Sequence, residues 1–229
     1  MENFVRYAVY AAPAPGPLSQ FAAAWLGWDA VGATDLAHPD IPGLPAPVTE
    51  LTARPRKYGF HGTLKPPFRL ATGQSADALQ QAVATLAASL SPVVLDGLEL
   101  RRLGGFLALV PEGDTSALST LAARCVAELD PFRAPASNGE LDRRRGKGLT
   151  PPQEANLIRW GYPYVMDEFR FHLTLTGSLP RGQADSVKTA LTPILAPLIP
   201  RPFVVDALCL FAERADGRFV ELHRYTLSG

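Results

Sequence analysis

Two short stretches decide how this chain is read: GFHGTL at residues 59–64 and RFHLTL at residues 170–175. In each, a His and a Thr stand two residues apart, so on an extended strand both side chains point to one face. Phe60, Gly62 and Leu64, or Phe171, Leu173 and Leu175, point to the other. One face of each strand is therefore apolar, and the other carries an imidazole and a hydroxyl.

The surroundings repeat as well. A helix-periodic segment, PVVLDGLEL, a Gly turn and GFLALV follow the first stretch; a helical segment, PFVVDALCL, an Asp-Gly turn and RFVELH follow the second. His61 and His172 are 111 residues apart and Asp96 and Asp206 are 110 apart, so the register holds across the unit. Two copies of this length indicate a duplicated lobe, since they can bury a face against each other without further repeats. The fold expected is α+β: two pseudo-symmetric lobes of antiparallel sheet with flanking helices around a central cleft. Residues 1–229 form one domain, with motif units at about 55–112 and 166–227 joined by a basic loop at about 131–152.

Working outward, RYAVYAA (6–12) reads as a strand and PLSQFAAAWLGW as a short helix. Residues 27–56 are punctuated by Gly and Pro and read as a surface excursion carrying His38, while Pro66-Pro67 should stop the first motif strand. Apolar residues at helical spacing predict helices behind Ser75 and from about Thr115 to Leu129. The stretch PFRAPASNGELDRRRGKGLTPP has no apolar stripe and reads as a mobile loop; a later helix at Asp185–Leu191 should be interrupted by Pro193. Cys125 and Cys209 lack metal or disulfide spacing and read as core residues. The apolar run near Met1 is too short for a leader or a membrane span, which points to a cytoplasmic protein without membrane contact.

Two imidazoles facing each other across one cleft suit paired acid–base chemistry, one taking a proton from a nucleophile and the other giving one to a leaving oxygen. Thr63 and Thr174 beside them can hold phosphoryl oxygens. Such a set serves in-line displacement at phosphorus. Each motif offers a single His with no acidic or second His neighbour at ligand spacing, so neither metal nor cofactor is expected. His38 and His223 read as surface or edge residues, and Asp96 and Asp206 as strand-entry or turn residues.

HGTL at 61–64 and HLTL at 172–175 resemble the paired H-x-[ST]-φ motifs of the 2H phosphoesterases, and the resemblance spans nearly the whole chain. RYAVYAAP, RKYGFHGTLKPPF, WGYPYV and FRFHLTLTG are similar to the branch encoded with bacterial phosphonate-degradation genes. The resemblance implies metal-independent enzymes that open or close cyclic phosphodiesters, with His61 and His172 catalytic and Thr63 and Thr174 on the phosphate. In phosphonate breakdown it implies a ribose 1,2-cyclic phosphate bearing a 5-phosphate as substrate. The alternatives are an RNA-end 2′,3′-cyclic phosphodiesterase or RNA ligase-like enzyme, and a non-catalytic phosphate-binding module.

Charge placement bears on substrate size. The 22 Lys and Arg balance 22 Asp and Glu, and no row of aromatics is available to stack bases, so a small phosphorylated partner is expected rather than a long nucleic acid. Arg54, Arg56 and Lys57 flank the first motif. Candidate substrate contacts are Tyr58, Lys65 (on the His face if the strand stays extended), Arg170, and Arg143, Arg144 and Arg145, with Lys147 in the same basic run.

Overall fold

The computed structural model describes residues 4–146 and 148–229; Lys147 lies outside the described residues. In its first half the chain runs β1 (Tyr7–Ala11), α1 (Pro17–Leu26), β2 (Trp28–Asp29), β3 (Thr34–Asp35), α2 (Val48–Leu51), β4 (Gly62–Phe68), α3 (Ala76–Ala88), β5 (Val93–Leu95), β6 (Gly97–Leu103) and β7 (Phe106–Glu112). It continues α4 (Ser116–Glu128), α5 (Asn138–Arg145), α6 (Pro151–Trp160), β8 (Leu173–Thr174), α7 (Arg181–Leu195), β9 (Phe203–Val205), β10 (Ala207–Glu213) and β11 (Phe219–Thr226).

Seven strands form one antiparallel sheet in the order β11-β10-β1-β4-β8-β7-β6. Its two faces differ. Val9, Leu64, Leu109, Leu173 and Leu210 join a large apolar cluster with the buried faces of α1, α3, α4 and α7. The other face carries Tyr10, Phe211 and Phe219, partly roofed by Trp28 and Ala30 from the 27–36 excursion. Trp25 of α1 is fully buried and its indole N–H donates to the Leu175 carbonyl at 2.8 Å, tying the helical layer to the strand just past the second motif. Removing a side chain so placed costs about 3–5 kcal/mol. Among the described residues, no helix is long and apolar enough to cross a membrane.

The duplication appears as a pseudo-two-fold axis. Gly62 pairs with Leu173 across β4 and β8, and Val94 with Val204 across the separate β5–β9 ribbon, both antiparallel. Each of these residues faces its own repeat counterpart, as a two-fold requires. The axis therefore passes beside both pairs.

The units at 55–112 and 166–227 do not each fill one half of the sheet, however. Counting outward from the axis, β4 and β8 come first, and the counterparts β10 and β6 come third. Second place belongs to β7 on one side and to β1 on the other, with β11 as an additional edge. Each motif strand thus lies on the same side of the axis as the hairpin of the other unit, β8 directly beside β7 and β4 with β1 between it and β10.

Local differences from the sequence expectations have physical causes. Pro66 and Pro67 do not stop β4, because its pairing with β1 shifts register between Tyr7–Phe68 and Val9–Lys65, and on its other side β4 pairs with β8 only at Gly62. No ladder bond is asked of either imide. Pro193 lies in the last turn of α7 on the exposed side, where the carbonyl it frees can be hydrated, and the helix runs through it. The 27–56 excursion contains the β2–β3 pair and α2, and His38 is half-buried there, with Nδ1 on the Trp25 carbonyl at 3.0 Å and Nε2 on Arg56 at 2.7 Å.

The expected loop at 131–152 contains α5 and leads into α6. A capping box between Ser137 and Glu140 starts α5, and ion pairs from Glu140 to Arg69 and from Arg145 to Glu154 anchor it. A helix that buries no apolar side chain leaves no periodic trace in the sequence.

Candidate active site

The pairing of Gly62 with Leu173 fixes where the motif side chains go. In an antiparallel pair the next residues in register are His61 opposite Thr174 and Thr63 opposite His172. All four project on the face away from the helices, two from each side of the axis. A side chain at Gly62 would run into the Phe171 ring, so its glycine lets the two strands meet there.

Both imidazoles are held in the same manner. His61 Nδ1 lies 3.0 Å from the Gly59 carbonyl and His172 Nδ1 lies 2.8 Å from the Arg170 carbonyl. A carbonyl only accepts, so each Nδ1 carries the hydrogen and each Nε2 is left to exchange a proton in the cleft. Thr63 Oγ1 donates to His61 Nε2 at 3.2 Å. Gly59, at φ 72°, supplies its carbonyl from a turn where a side chain would meet Ala30.

The environments of the two rings differ. Tyr10 stacks on His61 with ring centroids 3.5 Å apart and planes 14° apart, and Tyr58 and Phe211 complete the surround at 6.4 and 6.2 Å. Burial pushes the His61 pKa down to about 4; the bond to Gly59 opposes this, and the charge of His172 adds to it. The strand register sets the two imidazoles diagonally across the axis. Beside His172 stands the Phe106 ring, tilted at 5.5 Å.

Of the other residues singled out in the sequence, Tyr58 does stand at the His61 side of the cleft. Lys65 does not reach it. A bulge places Thr63 opposite Tyr10 but Lys65 opposite Val9, which reverses the parity of the strand and turns Lys65 to the helical face. There it is 2% exposed, donates to the Val126 carbonyl at 2.9 Å and lies 3.8 Å from Asp130. Arg170 folds its guanidinium back on the Asp167 and Phe169 carbonyls and serves His172 through its own main-chain oxygen. Arg143, Arg144 and Arg145 lie on α5, and only Arg144 packs on an aromatic ring, that of Tyr162 at 4.7 Å.

Tyr10 and Tyr162 escaped the sequence reading. Nothing local reveals that β1 is inserted beside β4, although Tyr10 alternates correctly with Val9. Among the described residues, no group of three or more His, Cys, Asp or Glu side chains gathers where it could hold a metal.

Residues 63–220 match a family model described as Protein of unknown function (DUF1045). The chain belongs to this family. Relatives from Janthinobacterium sp. (strain Marseille) and Laribacter hongkongensis (strain HLHK9) are both named ribose 1,5-bisphosphate phosphokinase PhnN. The first is 39% identical over 235 residues, covering 100% of this chain and 52% of the relative; the second is 34% identical over 221 residues, covering 96% and 51%. The DUF1045 chain thus spans about half the length of these curated relatives.

Among solved structures, a phosphoesterase aligns at 17% identity and a TM-score of 0.41, covering 98% of this chain and 99% of that one. E. coli LigT complexed with 3′-AMP aligns at 15% and 0.44, covering 99% and 100%. Likeness at that level carries no weight. What the structure of this DUF1045 chain does show is its two H-x-T-L strands paired at one axis, with both Nδ1 atoms tied to main-chain carbonyls and both Nε2 atoms left free of them.

Proposed function

We propose that the protein is a metal-independent cyclic phosphodiesterase that opens a small sugar cyclic phosphate, a 5-phosphoribosyl 1,2-cyclic phosphate. The observation that carries this reading is the mirrored pair of Nδ1–carbonyl bonds, which leaves two Nε2 atoms in one cleft with a Thr hydroxyl near each.

Burial keeps His61 unprotonated at neutral pH, so it is the group able to accept a proton from water. The water oxygen bonds to phosphorus, and the P–O bond to the sugar O2 breaks. His172 delivers a proton to that departing oxygen, and the hydroxyls of Thr63 and Thr174 hold the equatorial oxygens as charge gathers there. One water is consumed and a phosphomonoester remains on C1. The product, ribose 1,5-bisphosphate, is the compound in the names of both curated relatives, which supports a role in phosphonate catabolism.

Incubating the protein in excess chelator with ribose 1,2-cyclic phosphate 5-phosphate and following phosphomonoester formation tests the reading. Ring opening to the 1,5-bisphosphate is expected. Tight binding without turnover would make the protein a phosphate-binding module, and a clear preference for oligonucleotide 2′,3′-cyclic ends would move it to RNA processing.

A further inference from the structure

The three arginines of α5 are not equivalent. Arg145 is matched by Glu154 at 2.7 Å and Asp142 at 3.7 Å. Arg143 is exposed. Arg144 is half-buried, has no acidic partner among the described residues, and rests on the Tyr162 ring at 4.7 Å. The Tyr162 phenol is near enough to those of Tyr58 and Tyr10 for their charges to influence one another, and these are the rings beside His61, Tyr10 stacked on it at 3.5 Å and Tyr58 at 6.4 Å. Lys57, over the Tyr58 ring at 4.8 Å, is a second cation without an acidic partner among the described residues. Arg6, by contrast, is neutralised by Glu213 through two hydrogen bonds.

Arg144 stands apart from the catalytic imidazoles: its ring contact is Tyr162, whereas the rings around His61 are Tyr10, Tyr58 and Phe211. An unmatched guanidinium two rings away from the His61 imidazole suits a second anion on the same small molecule, and its fork matches the geometry of a phosphomonoester.

We infer that Arg144, steadied on Tyr162 and assisted by Lys57, is the specificity residue that holds a terminal phosphomonoester of the substrate while the cyclic phosphate lies at His61 and His172. This rests on the cyclic-phosphodiesterase reading above. It also gives α5 a purpose: a helix that buries no apolar side chain is anchored at both ends by ion pairs, to Arg69 and to Glu154, so that one arginine is presented at a fixed height.

Two measurements on Arg144→Gln, with Arg181→Gln, an exposed arginine at the start of α7, as control, test this. In the first, KM and kcat are compared for ribose 1,2-cyclic phosphate with and without a 5-phosphate. Arg144→Gln should raise KM for the 5-phosphorylated compound about 10- to 100-fold with kcat held within about twofold, and leave the other compound unchanged. Arg181→Gln should leave both as they are. In the second, calorimetry follows ribose 5-phosphate binding without turnover, and Arg144→Gln should weaken it at least about tenfold. Equal effects on both cyclic compounds, or unaltered ribose 5-phosphate binding, overturn the inference. Arg144-dependent binding in a protein that opens neither ring would uphold the subsite and overturn the hydrolase reading instead.

Discussion

The two motif strands carry the same four-residue pattern but sit in unlike halves of the sheet. The His61 half has four strands and a roof from the 27–36 excursion, and its imidazole lies under the Tyr10 ring. The His172 half has three strands, and its imidazole is more open, with Phe106 tilted beside it. Duplication supplies two identical tools, and their surroundings divide the labour. The side that gained β1 gained a ring to keep water from its imidazole, and with it a depressed pKa.

The sharpest way to break this comparison is to remove each imidazole in turn. His61→Ala and His172→Ala should each lower ring opening by about 10²–10⁴-fold. The losses should separate on a p-nitrophenyl phosphodiester, whose leaving group departs without a proton. There His172→Ala should recover most of its deficit and His61→Ala should not. Recovery by the His61 variant instead would exchange the roles.

The hydroxyls come next. Thr63→Val and Thr174→Val keep shape and remove a donor, and a donor aimed at developing charge is worth about 10²-fold in kcat. Thr63 also donates to His61 Nε2, so its variant should alter the pH profile as well, whereas that of Thr174→Val should match wild type. Melting temperatures close to wild type with full activity would show both to be bystanders.

How much of this was legible in the sequence follows the same division. His61, Thr63, His172 and Thr174 could be placed on one face because a strand alternates with period two and the repeat set the register to within a residue. Lys65 could not, because a bulge reverses that period and sequence does not announce bulges. Tyr10 was readable as a strand residue but not as the neighbour of His61, since strand order is a matter of topology. The exchange of hairpins between units was equally hidden: a two-fold is satisfied whether each motif strand lies beside its own hairpin or beside the other's. Helix α5 escaped because ion pairs and a capping box hold it in place of an apolar stripe.

Tyr10 offers a finer test of the asymmetry. Tyr10→Ser admits water to His61, so its pKa should climb from about 4 toward the ordinary 6.5. A base works only when unprotonated, so the acid limb of kcat/KM should move up by about two pH units in the variant. The same shift governs stability. The native state holds the His61 proton less tightly than the unfolded chain, so wild-type stability should fall as pH drops from about 6.5 to about 4. Tyr10→Ser should lack that component. An acid limb at the same pH in both proteins would show that the stacked ring does not set the pKa.

The smallest effect concerns the residue that the bulge turned away from the cleft. Burial lowers the Lys65 pKa to about 8, against partial support from Asp130, so at neutral pH the amine is still charged inside the helical layer. A shift of that size is a cost of about 3 kcal/mol, which Lys65→Met removes. The variant also loses the bond to the Val126 carbonyl, and an orphaned buried acceptor costs about 1–3 kcal/mol. The two nearly cancel, so Lys65→Met should be within about 1–2 kcal/mol of wild type at pH 7, with substrate discrimination unchanged. The pH dependence exposes the cancellation. Between pH 8 and 10.5 native Lys65 is neutral while the unfolded chain still holds the proton, so wild type should gain stability over the variant as pH rises through that window. Denaturant unfolding of both proteins at pH 7 and pH 10 measures it, and a constant difference between them would mean that the Lys65 amine is not charged and buried at neutral pH.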